Sequence, residues 1–314
     1  MANKNNLIVF LSILAGLVII SWVVAVISRP LSTNTNPLRN IDRRDWTKIV
    51  IKNPQGQAEF ENKNQKWLMI KPVVDDVSYY TMDRILTSLT SFYAGSVISE
   101  NPKNFEKFGV AGSSAILVQV FVKNALTPVL DINIGQKPGD YFISYIKPGK
   151  KNAVSLAYEL PLYLFNYPLD EYREKMLIPV RSGEAKNYKL AMDKNELTLY
   201  QASNTWVSSL NGRPVADNVI GDLNTVIISL RAQRFATEVE SKGLGEAKTL
   251  MKLTVEGPRG TVIGIITDRT LAGPALASKV YLCRNENRQG VLLIADTDVK
   301  ALKDFLTKII HPAK

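Results

Sequence analysis

An internal repeat constrains the fold of this chain more than any other feature of its sequence. A stretch around Trp67 resembles one around Trp206, and an amphipathic segment typical of a helix follows each. We align the copies by placing Pro72 on Pro214. Further pairs then match: Asp75 with Asp217, Val77 with Val219, Ile85-Leu86 with Ile227-Ile228 and, after a loop of different length, Gly109 with Gly243. Such a match predicts one folding unit used twice.

Each repeat predicts the same order of elements. Short β-prone runs separated by Asn, Asp and Gly turns predict a three-stranded meander that ends near Trp67 or Trp206. A helix and four more strands follow, and closing helices are predicted at 160–166 and 298–309. The predicted fold class is therefore α+β, with an N-terminal transmembrane helix before two units. Each unit is a mostly antiparallel sheet packed with one or two helices.

The first thirty residues contain a long apolar segment. Leu7–Ile27 carries no charged residue, and as a helix it would span about 30 Å, the thickness of the hydrocarbon core of a bilayer. A cleaved signal peptide is the alternative, although its apolar core is usually only about 7–15 residues long. The predicted boundaries are a tail at 1–6, a transmembrane helix at 7–28, a linker at 29–44, a first unit at 45–180 and a second unit at 185–310.

Charge gives conflicting indications about membrane orientation. Arg29, Arg39, Arg43 and Arg44 outnumber Lys4, which by the positive-inside rule favours a cytoplasmic body. A short tail before a single apolar helix commonly acts as an uncleaved signal, however, and long domains are translocated regardless of charge. We therefore expect an inner-membrane protein with one span and a periplasmic body.

The net charge of +10 favours anionic neighbours such as membrane lipid headgroups. The Lys and Arg residues are mostly scattered and are not interleaved with aromatic residues in a basic stripe. That distribution argues against nucleic acid as a partner.

The sequence offers no constellation typical of catalysis. The single histidine, His311, lies near the end, which argues against a histidine-dependent triad or a multi-histidine metal site. The acids Asp75 and Asp76 precede a helix, so we interpret them as N-terminal caps instead of a general acid–base pair. A charged run is interpreted as a solvated face: Asp170, Glu171, Arg173, Glu174 and Lys175. We predict no catalytic, cofactor-binding or metal-binding residues, no cofactor, and a protein that is not an enzyme.

Six aromatic residues crowd the end of the first unit: Tyr141, Tyr145, Tyr158, Tyr163, Phe165 and Tyr167. Such a cluster can line a groove for a glycan or a peptide, or it can pack in a core or an interface. Cys283 lies in an apolar run and is interpreted as a small buried residue.

Packing and turn residues of the first unit form a recognisable pattern: Trp67, Pro72-Val73, Phe108-Gly109-Val110, Ile134-Gly135 and Tyr141. Together with the helix after Pro72, they resemble the bacterial family catalogued as domain of unknown function 4340. The resemblance covers essentially the whole chain after the apolar segment, although the second copy lacks the Ile-Gly pair. It implies a membrane-anchored protein, and some members of the family accompany ABC-type transport systems of the gliding-motility kind. It implies no catalytic residues.

Two functions follow as expectations. The first is a non-enzymatic, membrane-anchored accessory or scaffold subunit of a membrane transporter, possibly of the ABC type, or of an envelope assembly. The alternative is an envelope binding module that recognises lipid or polysaccharide in a cleft between the two units.

Overall fold

The computed structural model describes residues 14–18, 21, 36–181, 183–258, 260–272 and 278–310. Its described part is mostly β, in two nine-stranded sheets in which all pairs of neighbouring strands are antiparallel. The predicted α+β class is therefore wrong. Two strands in each unit were not predicted, because they are the short or irregular strands at the sheet edges.

The first unit contains nine strands and one α-helix. The strands are β1 (Trp46–Asn53), β2 (Gly56–Lys63), β3 (Lys66–Lys71), β4 (Asp75–Asp76), β5 (Tyr93–Ser99), β6 (Ile116–Val122), β7 (Leu130–Gln136), β8 (Ile143–Pro148) and β9 (Val154–Tyr158). Helix α1 (Tyr79–Ser91) lies between β4 and β5. The strands and the helix share one hydrophobic core.

The second unit also contains nine strands. They are β10 (Asn187–Met192), β11 (Asn195–Ala202), β12 (Thr205–Ser208), β13 (Pro214–Val215), β14 (Ala232–Phe235), β15 (Thr249–Gly257), β16 (Gly260–Leu271), β17 (Val280–Asn285) and β18 (Val291–Ala295). Helix α2 (Asp217–Ser229) occupies the position of α1, a short helix α3 (Glu238–Ser241) follows β14, and α4 (Asp296–Ile310) closes the unit.

The two sheets have the same topology. The strand order is β4-β3-β2-β1-β6-β7-β8-β9-β5 in the first sheet and β13-β12-β11-β10-β15-β16-β17-β18-β14 in the second. In each sheet, the first four strands form one meander and the last four form another, and the two meanders pair through the first and sixth strands. The fifth strand pairs with the ninth at the far edge. The predicted duplication into two similar units is confirmed.

Strand register is preserved as well. Ile51 of β1 pairs with Ala58 and Val118, and Leu190 of β10 pairs in the same way with Leu197 and Leu253. Trp67 and Trp206 are each the second residue of their third strand. A shift of the pairing by one residue would turn every core side chain of a strand to the opposite face of the sheet. The shared register therefore places equivalent residues in the core of each unit.

Both helices cross the sheet from one edge strand to the other, and both have 13 residues. Their buried apolar residues correspond one to one: Met82 with Ile220, Ile85 with Leu223, and Leu89 with Ile227. The sequence alignment, which placed Ile85 on Ile227, is therefore displaced by about one helical turn. An amphipathic stripe matches itself again after one turn, so periodicity alone does not distinguish the two alignments.

The predicted closing helices have different outcomes. Helix α4 agrees with the prediction for the second unit. In the first unit the predicted helix at 160–166 is wrong, because the chain forms a single 3-10 turn there, Leu162–Phe165, and a second one follows at Leu169–Tyr172. Pro168 prevents the first turn from continuing as a helix, because proline has no N–H group to donate and disfavours the helical conformation in the residue before it.

The predicted transmembrane helix at 7–28 lies mostly outside the described residues. Residues 14–18 and 21, which belong to it, are helical. In the described ranges, no helix is long and apolar enough to cross a membrane, and the transmembrane part of the predicted fold class has no support there.

The described end of the predicted linker, residues 36–44, packs against the first unit. Leu38 is fully buried in its core, and the side-chain amide of Asn36 donates to the carbonyl oxygens of Leu89 and Phe92 at 2.8 and 3.1 Å. This segment thus satisfies backbone acceptors at the end of α1, which lack partners within the helix.

Candidate functional site

The chain between the units, residues 172–178, pairs with an edge of each sheet, and we call it the connector. On the first unit, Ser78 donates to the carbonyl oxygen of Tyr172 and Glu174 to that of Asp76, both at 2.9 Å. On the second unit, Leu177 donates to Leu230 at 2.9 Å. The connector therefore joins the β4 edge of one sheet to the β14 edge of the other.

A buried ion pair lies under the connector. The side chain of Asp75 in β4 is fully buried. Its Oδ2 atom accepts a hydrogen bond from Nε of Arg173 at 2.9 Å and lies 2.7 Å from Nη2 of the same guanidinium. A hydrogen bond between two ionised groups is stronger than one between neutral groups. A third donor of Arg173, Nη1, bonds to Asp170 at 2.9 Å.

The second unit contributes an aromatic ring and another arginine to the same cluster. The guanidinium of Arg173 lies over Phe235, 3.4 Å from the ring centroid, and that of Arg288 lies 5.6 Å from the same centroid. Arg288 is almost fully buried, with Nε 3.9 Å from Oδ1 of Asp75, and it donates to the carbonyl oxygen of Glu174. We call Asp75, Arg173, Phe235, Arg288 and Gly290 the charged joint.

Burial changes the pKa of Arg288 in the charged joint and of the neighbouring Glu174. It raises the pKa of the Glu174 carboxyl, although the nearby Arg288 and Arg231 oppose the change. It also lowers the pKa of the Arg288 guanidinium, against the opposing charge of Asp75. Among the described residues, Nε and Nη2 of Arg288 have no hydrogen-bond partner, so this cation depends on charge attraction for compensation.

Gly290 makes the close approach of the units possible. A Cβ atom at this position would lie 2.4 Å from Oδ2 of Asp75 and 2.8 Å from Nη2 of Arg173. Any side chain there would displace the buried ion pair. Asn285 adds a further contact, because its amide donates to the carbonyl oxygen of Leu177 at 2.7 Å.

The structure corrects two interpretations of charged residues. Asp75 and Asp76 belong to β4 and do not cap α1, whose N-cap is Ser78. Asp76 pairs with Lys66 at 2.8 Å. The run at 170–175 is not simply a solvated face, because the side chains of Arg173 and Lys175 are each only 10% exposed. A sequence cannot show this burial, since it depends on contact between two units.

The sequence also contains a single cysteine, Cys283, and a single histidine, His311. Cys283 is buried, and burial raises the pKa of its thiol. Within the part of the chain that the structure describes, no group of three or more His, Cys, Asp or Glu side chains could hold a metal ion. His311 lies outside that part.

The aromatic cluster of the first unit divides into buried and exposed members. Phe165 is buried, whereas Tyr141 is 80% exposed. A cavity of about 260 Å³ opens between β7, β8 and the first 3-10 turn. We call it the aromatic hollow; its principal lining residues are Gln136, Asp140, Tyr141, Tyr163, Asn166 and Tyr167.

A second hollow of about 530 Å³ lies on the same unit and is polar. It is bordered by Arg44, which pairs with Asp42, and by Lys123, which pairs with Asp45. Trp46 also lines it. The charges at its border are thus already compensated.

Two glycines behind the family resemblance, Gly135 and Gly109, have packing and turn roles. A Cβ atom at Gly135 would lie 1.9 Å from the carbonyl oxygen of Phe108, so the Phe108-Gly109 turn needs glycine on β7. Gly109 and Gly243 both adopt positive φ angles, 66° and 75°, which favour glycine. The two copies thus keep the same turn after the fifth strand.

Comparisons with known proteins give one match. The family model described as Domain of unknown function (DUF4340) matches residues 67–249, more than half of the chain. No curated protein and no solved structure matches. The matched region begins in β3, includes the connector and ends at the first residue of β15, so it contains Asp75, Arg173 and Phe235 of the charged joint. The chain belongs to the DUF4340 family, a domain of unknown function.

Proposed function

We propose that this protein is a non-enzymatic accessory or scaffold subunit whose two units form one rigid platform for a membrane transporter or envelope assembly. The observation that supports it most is the charged joint. Its buried ion pair, its ring contacts and the connector hydrogen bonds hold both units in one arrangement. A rigid surface reduces the entropy lost when a partner binds.

Exposed apolar side chains flank the elements that form the charged joint. Val74, which is 54% exposed, leads into β4, and Val239, which is 72% exposed, follows β14. Val73, which precedes Val74, is also exposed, and adjoining exposed apolar side chains can mark protein–protein or membrane contacts. We propose that these residues belong to the docking surface for the partner, an ABC-type transporter subunit or another membrane protein.

We further propose that the body lies outside the cytoplasm at the inner membrane, next to lipid headgroups. The apolar sequence Leu7–Ile27 and the net charge of +10 support this location. A reporter that is active only outside the cytoplasm, fused after Lys314, should be active. Activity of a cytoplasm-only reporter at the same position would contradict the proposed orientation.

Purification from cells in mild detergent, followed by mass spectrometry of the retained proteins, tests the platform. The unmodified chain should retain a membrane protein, and the Val74→Asp/Val239→Asp variant should lose it. Leu126→Asp is the matched control, because Leu126 is fully exposed but lies in the loop between β6 and β7. A chain that purifies strictly alone, or equal losses in both variants, would contradict the proposal.

The alternative function, a cleft between the units that binds lipid or polysaccharide, has less support. Asp75, Arg173 and Arg288 are buried where the units meet, and they fill that contact instead of lining an open cleft. Both hollows described above lie on the first unit. A lipid or glycan that remains bound through purification and is lost on substitution at the contact between the units would favour this alternative.

A further inference from the structure

We propose that the aromatic hollow of the first unit binds a neutral oligosaccharide, with one sugar ring stacked on the exposed ring of Tyr141. A pyranose ring presents C–H groups on its face, which match the negative face of an aromatic ring. Its hydroxyl groups both donate and accept hydrogen bonds, as do the side-chain amides of Gln136 and Asn166. The hollow combines both kinds of group.

The aromatic floor of the hollow is held in place before any ligand arrives. The guanidinium of Arg84 lies 5.2 Å from the ring centroid of Tyr163 and donates a hydrogen bond to its hydroxyl. The ring of Tyr167 contacts both Tyr163, at 6.2 Å between centroids, and the buried Tyr172, at 5.9 Å. Little side-chain entropy therefore remains to be lost on binding.

The exposed side of the hollow is also fixed by local hydrogen bonds. Oδ1 of Asp140 accepts from the backbone N–H groups of Phe142 and Ile143 at 2.9 and 3.1 Å. This turn presents Tyr141 and Phe142 to solvent, where they are 80% and 67% exposed. Exposure of two adjacent large aromatic side chains to water forgoes the free energy that their burial would provide. A role in ligand binding explains why they are exposed.

The charge of the hollow favours a neutral ligand over an anionic lipid. Its cation, Lys137, lies 3.9 Å from Asp140, which compensates its charge. Arg84 is engaged by Tyr163 and also lies over Tyr80, 5.4 Å from the ring centroid. The net positive charge of the chain is therefore not concentrated here.

The volume fits one sugar ring of a longer chain. At about 260 Å³ the hollow is smaller than the roughly 300–1,000 Å³ typical of pockets for drug-sized ligands. The rest of an oligosaccharide would extend over the open surface beside Tyr141.

The second unit does not share these residues. The connection between β16 and β17 has the sequence AGPALASK at 272–279, without an aromatic residue. The segment after β18 is helix α4, where the first unit has the turns that place Tyr163 and Tyr167. The hollow therefore arose where the copies diverged and not from the shared scaffold. This inference does not depend on the platform function, because it concerns a surface of the first unit alone.

Calorimetric titration of the full chain tests the inference, in a detergent without a sugar headgroup. The probes are hexamers of β-1,4-linked N-acetylglucosamine, β-1,4-linked glucose and α-1,4-linked glucose. At least one should bind with a Kd below about 1 mM. Tyr141→Ala should weaken that binding at least about tenfold, or about 1.4 kcal/mol. Tyr141→Phe should retain it, because the ring face is unchanged.

Tyr200→Ala is the matched control, since Tyr200 is exposed on the second unit and should not affect binding. Circular dichroism of each variant verifies that it is folded. Absence of binding by all three hexamers would overturn the inference, as would equal binding by Tyr141→Ala and the unmodified chain. Binding to vesicles of anionic lipid that depends on Tyr141, without binding to any hexamer, would overturn it in favour of a lipid site.

Discussion

The two units share a scaffold but differ at the position where β4 and β13 end the sheet. By register, the buried Asp75 of the first unit corresponds to Arg213 of the second, which is exposed. The first edge faces the connector and the charged joint, whereas the second has no such neighbour among the described residues. Duplication thus preserved strand order and pairing. The residue types at each edge strand, in contrast, depend on whether another segment packs against that edge.

The largest expected effect concerns this pair of positions. Asp75→Ala would remove the carboxylate nearest to the buried Arg288 and leave the buried Arg173 with Asp170 alone. Removal of one partner from a buried ion pair typically costs about 3–5 kcal/mol. Arg213→Ala, at the equivalent exposed position, should change the free energy of unfolding by no more than about 0.5 kcal/mol. Urea unfolding measures both, and equal effects would contradict the assigned difference between the edges.

The equivalent tryptophans are expected to differ in their contribution to stability, by somewhat less than the two edge positions. Trp206 is 9% exposed and belongs to the core, so Trp206→Ala should destabilise by about 3 kcal/mol. Trp67 is only partly buried at the border of its core, and Trp67→Ala should cost less. Thermal unfolding of the two variants, side by side, tests this order. A larger loss for Trp67→Ala would contradict the burial described for the second unit.

The helix N-termini differ by one hydroxyl group. Ser78 caps α1 by accepting from the backbone N–H of Thr81, whereas Ala216 precedes α2 without a side-chain cap. Ser78→Ala should destabilise by about 0.5–1 kcal/mol, and Ala216→Ser should stabilise by a similar amount. Chemical denaturation of both variants is the measurement. Destabilisation by Ala216→Ser would show that the second helix begins differently.

The smallest expected effect is a pH dependence at the charged joint. Burial raises the pKa of Glu174 in the folded protein, so the folded state holds this proton more tightly than the unfolded state. The contribution of Glu174 to stability is then present below its unfolded pKa and is lost as the pH rises through the folded pKa. Glu174→Gln should therefore gain stability relative to the unmodified chain as the pH rises from about 4.5, its ordinary value, towards neutral.

Parallel denaturation series at several pH values measure this difference. Glu196→Gln is the control, because Glu196 pairs with Lys189 on the surface of the second unit, where both side chains are about half exposed. A difference for Glu174→Gln that stays constant with pH would contradict the raised pKa.

Sequence patterns predicted the local features of each unit well. Turn residues, apolar periodicity and the two tryptophans identified the meanders, the crossing helices and α4, because these depend on residues close together in the chain. The edge strands β4 and β13 were missed because two residues give no periodic signal. Strand β5 was missed because its burial does not alternate and its pairing with β9 shifts register twice.

The charged joint could not be predicted from patterns. The pair Asp75 and Arg173 is separated by most of the first unit in sequence, and Arg288 comes from the other unit. Local context therefore suggested a helix cap and a solvated face. Gly290 gave no signal either, because a glycine between two strands is expected in a turn. Only the structure shows that its φ angle is not positive and that a Cβ atom there would collide with Asp75.

The connector has a consequence for symmetry. Contact between two identical partners about a twofold axis would use the same edge twice and would require that edge to be self-complementary. Here the β4 edge of one unit meets the β14 edge of the other, so the contact is head-to-tail. Neither edge must complement itself. Asp75 could therefore arise in one unit and Phe235 and Arg288 in the other, whereas a twofold contact would need all three groups on the same surface of both units.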